Sequence, residues 1–211
     1  MSTPTAQTNN RVFHVVDRSA FSLAPAGSFS AALCSLAFLG EVTRTIQQKD
    51  GSTETKTLEY VGLGYEILDK NSGEVFTVVE ECTLSYNPDS KLYSRILALN
   101  NGEPLAEGQD LRVLLGKPAK ITIVHRLGDT KEGGKRLYAN VSGVDILPKN
   151  MTAHTLSGQP IYYDVLQPNS AMLEKLNRKH QAIIKGDSDK TKGANDKAQG
   201  ANDQPNVAAA A

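Results

Sequence analysis

The chain has 211 residues, 39% of them hydrophobic and 22% charged, with a formal net charge of +0 and a pI near 6.9. That length holds one domain of ordinary size plus extensions. The exact charge balance argues against a polyanion binder that works by overall basicity, so any electrostatic footprint must be local. No apolar run approaches the roughly 20 residues of a membrane helix, and the polar first ten residues lack the pattern of a secretory signal. Cys34 and Cys82 are isolated thiols whose spacing fits neither a metal knuckle nor a disulfide framework, which suits a reducing cytoplasm.

Residues 1–27 read as an N-terminal arm. Its first ten residues have the composition of disorder, 11–16 are β-prone with Phe13 as a pin to a domain edge, and Pro25 and Gly27 mark a turn. Residues 28–39 are small and apolar and predict a first long strand ending at Gly40. Frequent Ala and Leu leave a helix as the competing choice, which the flanking glycines and the β-prone sequel oppose. Residues 41–57 read as a polar connector with a turn at Asp50-Gly51. Residues 58–68 are a second strand. Period two places Val61, Leu63, Tyr65 and Ile67 on a core face and Tyr60, Gly62, Gly64 and Glu66 on the other. Glycine inside a strand marks a bend, a bulge or the close approach of another chain or ligand. A strongly coiled barrel strand gives the same pattern with no ligand.

Residues 74–84 are a third strand. Asn87-Pro88-Asp89-Ser90 starts a helix over 91–99, with Leu92, Ile96 and Leu99 on one face and Asn100-Asn101-Gly102 as its stop. Residues 119–125 and 137–147 are two apolar runs joined by a glycine-rich turn, a hairpin closed by Pro148. From Arg112 to Arg136 there are seven cations against Asp129 and Glu132, a local excess of +5. Strand, strand, strand, short helix, strand, strand is the element order of an OB-fold, a small five-stranded Greek-key barrel. A β-sandwich needs about seven strands. The predicted fold is therefore mainly β: an OB-like barrel over 28–149 with its short helix between strands 3 and 4.

Residues 150–186 read as an extension. It holds a short strand at 161–165 and an amphipathic helix from Ala171 to Lys185. Leu173, Leu176, His180 and Ile183/Ile184 form its apolar stripe, capped by Gly186. Such a helix packs back on the barrel or docks on a partner or second subunit. Residues 187–211 repeat Gly-Ala-Asn-Asp at Gly193 and Gly200 and read as a disordered tail.

Catalytic chemistry finds little support. The four histidines have no metal-ligand spacing, the 128–135 loop fails the phosphate-loop pattern, and Gly62-Leu63-Gly64 lacks a third glycine and a following helix. Glu80 and Glu81 are adjacent in a strand and point to opposite faces, a poor acid–base pair. No cofactor or metal is expected, and the chain reads as a binder rather than an enzyme. The candidate nucleic-acid residues are Tyr60, Lys117, Lys120, Arg126, Lys135, Arg136 and Tyr138, with Tyr93 as a further aromatic. Aromatic rings stack bases and the cations hold phosphates. An ordinary solvated hairpin has the same composition.

These motifs carry a resemblance. Leu-Leu-Gly-Lys-Pro at 114–118, Ile-Thr-Ile-Val-His at 121–125, Tyr-Ala-Asn-Val-Ser at 138–142, Leu-Pro-Lys at 147–149 and Tyr-Val-Gly-Leu-Gly-Tyr-Glu at 60–66 resemble small bacteriophage proteins of replication and recombination modules. The resemblance spans about 28–149. It implies an OB-like fold and single-stranded DNA binding in the host cytoplasm, with replication or recombination proteins as partners, and it adds no catalytic residue. The 187–211 tail departs from the acidic tails of many such proteins, because its aspartates are interleaved with lysines and it ends in alanines. The competing expectation is a phage protein-interaction module that binds a host or viral replication protein or nuclease.

Overall fold

A computed structural model describes residues 22–47, 51–130 and 133–186. The arm up to 21, with its β-prone 11–16 piece, and the tail from 187 that the sequence reads as disordered lie outside the described residues. The fold is mainly β. Strands β1 (Gly27–Gln47), β2 (Thr53–Leu68), β3 (Val75–Thr83), β4 (Pro118–Asp129), β5 (Lys135–Asp145) and β6 (Ile161–Asp164) form one six-stranded sheet. Its order is β3-β2-β1-β4-β5, antiparallel throughout, with β6 added in parallel to β1. The helices are α1 (Lys91–Leu99), α2 (Ser170–Lys175) and α3 (Arg178–Ile184), with a 3₁₀ turn at Leu111–Leu114. Among the described residues no helix is long and apolar enough to cross a membrane.

β1 organises the sheet. One edge pairs along its length with β2, while the other carries β4 opposite 27–32 and β6 opposite 35–38. The change of partner falls at a register shift between Leu33 and Ser35, where the extra residue bends the strand. The strand expected over 28–39 is confirmed against the helix alternative, but it runs on to Gln47. The connector expected over 41–57 is instead a β1–β2 ribbon. Its threonines are the reason. β-Branched side chains suit a strand, and Thr43 with Thr57 and Thr45 with Thr55 place their hydroxyl oxygens 2.8 and 3.3 Å apart across it. Gly51 takes φ +85° at the turn.

The expected core face of β2 is buried as read: Val61, Leu63, Tyr65 and Ile67 pack with Leu33, Ile121, Ile123 and the Leu92, Ile96 and Leu99 face of α1. Ser90 caps α1 by accepting a hydrogen bond from the Tyr93 N–H at 3.1 Å. An ion pair fixes the helix to β3. Arg95 on α1 donates to both oxygens of Glu80 at 2.9 and 3.1 Å, the Tyr65 hydroxyl donates to Glu80 Oε1 at 3.0 Å, and Lys91 stands 2.8 Å from Oε2. Burial works against the Glu80 charge, yet Arg95 and then Lys91 hold its carboxyl below the usual range. The Tyr65 hydroxyl is pushed well above its ordinary value by burial and by Glu80.

The single helix expected from Ala171 to Lys185 is two short helices. Leu176 is extended at the end of α2, and Asn177 caps α3 by accepting from the Lys179 N–H at 2.9 Å. Its apolar stripe turns inward. Leu176 is buried with Ala37, Leu39, Val42, Tyr60 and Tyr163 in a second core on the outer face of the sheet. His180 is buried as well. Of the two placements expected for this helix, the structure shows the one in which it packs back on the sheet. The 150–186 segment is built into the fold: β6 lengthens the sheet, and His154 and Ser157 hydrogen-bond to Glu66 on β2.

Candidate nucleic-acid interface on the β4–β5 hairpin

The register of β4 on β5 decides which candidate residues meet. Directly opposed residues share a face, and successive residues alternate between faces. Arg126 opposes Tyr138, and Gly128 opposes Arg136. One face of the hairpin therefore presents the Tyr138 ring with Arg126 across from it and Arg136 two residues away, while bare Gly128 fills the fourth corner. Tyr138 is 40% exposed. Among the described residues neither Arg126 nor Arg136 has a carboxylate partner, so both guanidinium groups are free to meet phosphate.

The other candidates are placed differently. Lys120 lies on the same face as Arg126, but its ammonium is 3.0 Å from Asp145. Lys135 opposes Asp129 on the opposite face and pairs with it at 2.5 Å. Lys117 precedes β4, exposed, in a turn where its carbonyl accepts from the Leu33 N–H at 3.1 Å. Arg112 belongs to the 3₁₀ turn, paired with Asp110 and set 5.0 Å from the Tyr162 ring. The excess of +5 read along the sequence is therefore partly cancelled by pairing. Tyr60 is not on this face. It is 7% exposed in the second core, with the Arg44 guanidinium 4.3 Å from its ring centroid, so the ring is closed to a base in this arrangement. Tyr93 sits on α1, half-buried.

The far side of the hairpin tip is apolar. Leu127 and Leu137 are directly opposed, 62% and 49% exposed. Sequence reading missed this pair because it ended the first run at His125 and left Leu127 in the turn, whereas β4 continues to Asp129. The alternation along β4 runs from buried Ile121 and Ile123 outward to exposed Leu127, and that is the signal that the ribbon outruns the body of the sheet.

Elsewhere the chemistry is restrained. Among the described residues no group of three His, Cys, Asp or Glu side chains is placed to hold a metal ion. Burial pushes the Cys34 thiol up to about 11 and the Cys82 thiol up to about 12, so both stay protonated and weakly nucleophilic near neutral pH. Glu80 and Glu81 do point to opposite faces, each held by its own cations. Glu81 pairs with Arg44 at 3.4 Å and Lys179 at 2.9 Å. No protein-family model matches the chain, and no curated protein matches it. The fold and the hairpin alone carry the functional argument.

Proposed function

We propose that the chain is a single-stranded DNA-binding protein of a bacteriophage replication or recombination system, built on an OB-like barrel and acting without catalysis. The order β3-β2-β1-β4-β5 with α1 between β3 and β4 is the connectivity of a five-stranded Greek-key barrel, and that supports the finer fold assignment. The observation that carries the function is Tyr138 flanked on one hairpin face by Arg126 and Arg136, which have no carboxylate partner among the described residues. The ring stacks a base and the two guanidinium groups hold adjacent phosphates. Each base–aromatic stack contributes roughly 1–3 kcal/mol, and duplex DNA hides the base faces that such a ring needs.

Fluorescence anisotropy of a labelled thymine oligonucleotide at several salt concentrations tests this. Tyr138→Ala is expected to weaken binding by about 1–3 kcal/mol. Arg126→Ala with Arg136→Ala is expected to flatten the slope of log affinity against log salt by about 1.4, at about 0.7 per single-strand phosphate contact. Lys135→Ala, which removes a cation already neutralised by Asp129, leaves the slope almost unchanged. A slope that responds equally to Lys135 and to the arginine pair rejects this placement of the site.

A second reading, a protein-interaction module, draws on the exposed Leu127 and Leu137 pair. It gains if Leu127→Asp with Leu137→Asp abolishes a nuclease-resistant complex while oligonucleotide binding stays intact.

A further inference from the structure

On the outer face of the sheet α2 packs beside β6 and α3 over β1, and α3 reaches across to Gly62 of β2 and Glu81 of β3. His180 on α3 is 0% exposed. A Cβ built on Gly62 of β2 would stand 2.6 Å from His180 Cε1, 2.7 Å from Nε2 and 2.8 Å from Nδ1. Near-equal distances to three ring atoms put the face of the imidazole, not its edge, against the Gly62 backbone. The absence of a side chain at Gly62 is what admits a flat ring there.

No side chain hydrogen-bonds to the ring among the described residues: its neighbours are the Glu80 backbone and Glu81 Oε1, the latter 4.0 Å from Nε2. A surface cleft of about 230 Å³, open to solvent, lies between Cys34, Ser35, Glu66 and Thr77 on the sheet and Lys175 and Asn177 at the junction of α2 and α3. The two helices have six and seven residues, too few to hold their shape alone. They follow a loop whose Leu166 is exposed, whereas β6 and the Glu66 contacts upstream are fixed in the sheet.

We propose that the slot on Gly62, beside Tyr60, is a site for an unpaired nucleobase of single-stranded DNA, and that His180 fills it in the free chain, making α3 an internal competitor which DNA displaces. This rests on the single-stranded DNA reading of the hairpin. The imidazole is a flat nitrogen heterocycle lying on bare backbone, as a base would lie. Once α3 swings out on the 165–169 loop, Lys179 leaves Glu81, whose carboxylate becomes an acceptor for a base N–H, in thymine the N3–H. Arg44, now stacked over Tyr60, stays on the β1–β2 ribbon to meet a phosphate, and Tyr60 gains a free face.

The test uses the full chain and a twelve-residue thymine oligonucleotide. The ring signals of His180, followed by NMR, are expected to move from buried to solvent-exposed positions as DNA saturates the wild-type protein. The variant His180→Ala, which empties the slot, is expected to bind more tightly in anisotropy, by roughly tenfold if the free face is open one-tenth of the time. His180 signals that stay buried at saturation, or an affinity unchanged by His180→Ala, overturn the proposal. The wild-type NMR arm holds even if the variant folds poorly. If Arg126→Ala with Arg136→Ala leaves affinity intact while His180 still moves, the hairpin reading fails and the slot stands. If neither wild type nor His180→Ala binds, both fail.

Discussion

Replacing Gly62 with alanine gives a sign reversal that tests the packing of α3 directly. The new Cβ falls 2.6–2.8 Å from three atoms of the His180 ring. Ordinary carbon contacts begin near 3.4 Å, so the ring must retreat by about 0.8 Å along its normal. It has nowhere to go sideways, because it is fully buried. The retreat is therefore made by α3 as a whole, at a typical overpacking cost of about 1–3 kcal/mol. In a chain that already carries His180→Ala, the same methyl enters vacated space. Alanine is then favoured over glycine inside a strand by roughly 0.5–1 kcal/mol. Gly62→Ala is thus destabilising in the wild type and stabilising in the His180→Ala background. Urea unfolding of all four members of the cycle gives the coupling, and amide exchange across 176–184 gives its location. A coupling below about 0.5 kcal/mol, the additivity expected of independent sites, refutes the face-on contact.

Two further outcomes follow from the buried charges. Arg95→Ala strands Glu80 in the core with Lys91 as its remaining cation. The expected loss is about 3–5 kcal/mol in urea unfolding, and a loss under about 1 kcal/mol means Glu80 is solvated. Acid loosens the cover. Burial, opposed only in part by Glu81, lowers the His180 pKa below its ordinary 6.5. The unfolded state then binds the proton first, so stability is complete above about 6.5 and declines as pH falls towards the folded value. Glu66, Glu80 and Glu81 are also lowered, and their contributions disappear further into acid. Amide protection in α3, taken relative to the intrinsic exchange rate at each pH, should fall between pH 7 and 5, and His180→Ala should remove that limb. An α3 exchange profile that His180→Ala leaves unchanged contradicts the assignment.

The local elements were legible in the sequence where a pattern has one interpretation. Period two over 60–67 separated the buried faces of β2, and the Asn-Pro-Asp-Ser cluster placed the start of α1. The glycines at 62 and 64 left a bend, a bulge, a close approach and a plain coiled strand all open; Gly64 faces Ser35 on the neighbouring β1, and nothing local said that the group against Gly62 is His180, more than a hundred residues away on α3. The β1–β2 ribbon hid behind its polar composition. Threonine and glutamate look like a connector unless the cross-strand partner is known, and Thr43 and Thr57 reveal themselves only once paired. The break between α2 and α3 was masked because Leu173, Leu176, His180 and Ile184 keep helical spacing across it. Asn177, a good helix cap in the middle of the stripe, was the available clue.

The hairpin charges show most clearly why a site needs register as well as composition. A cation contributes to phosphate binding only if no nearby carboxylate already neutralises it, and which carboxylate is near depends on strand pairing. The irregularity between Thr122 and Ile123 shifts the register of β5, so that Asp145 opposes Lys120, while at the other end of the ribbon Asp129 opposes Lys135. Arg126 opposes an aromatic and Arg136 opposes a glycine, so among the described residues these two of the four Lys and Arg side chains on the hairpin strands have no carboxylate partner on the Tyr138 face. Two or three phosphate contacts give a salt slope of only about −1.4 to −2.1. So weak an electrostatic term cannot hold duplex DNA tightly on a chain of zero net charge. Preference for single strands then has to come from the ring face of Tyr138, and from Tyr60 once its cover is displaced. Removing both tyrosines should therefore abolish the discrimination between single strand and duplex, while removing the arginines should weaken both alike.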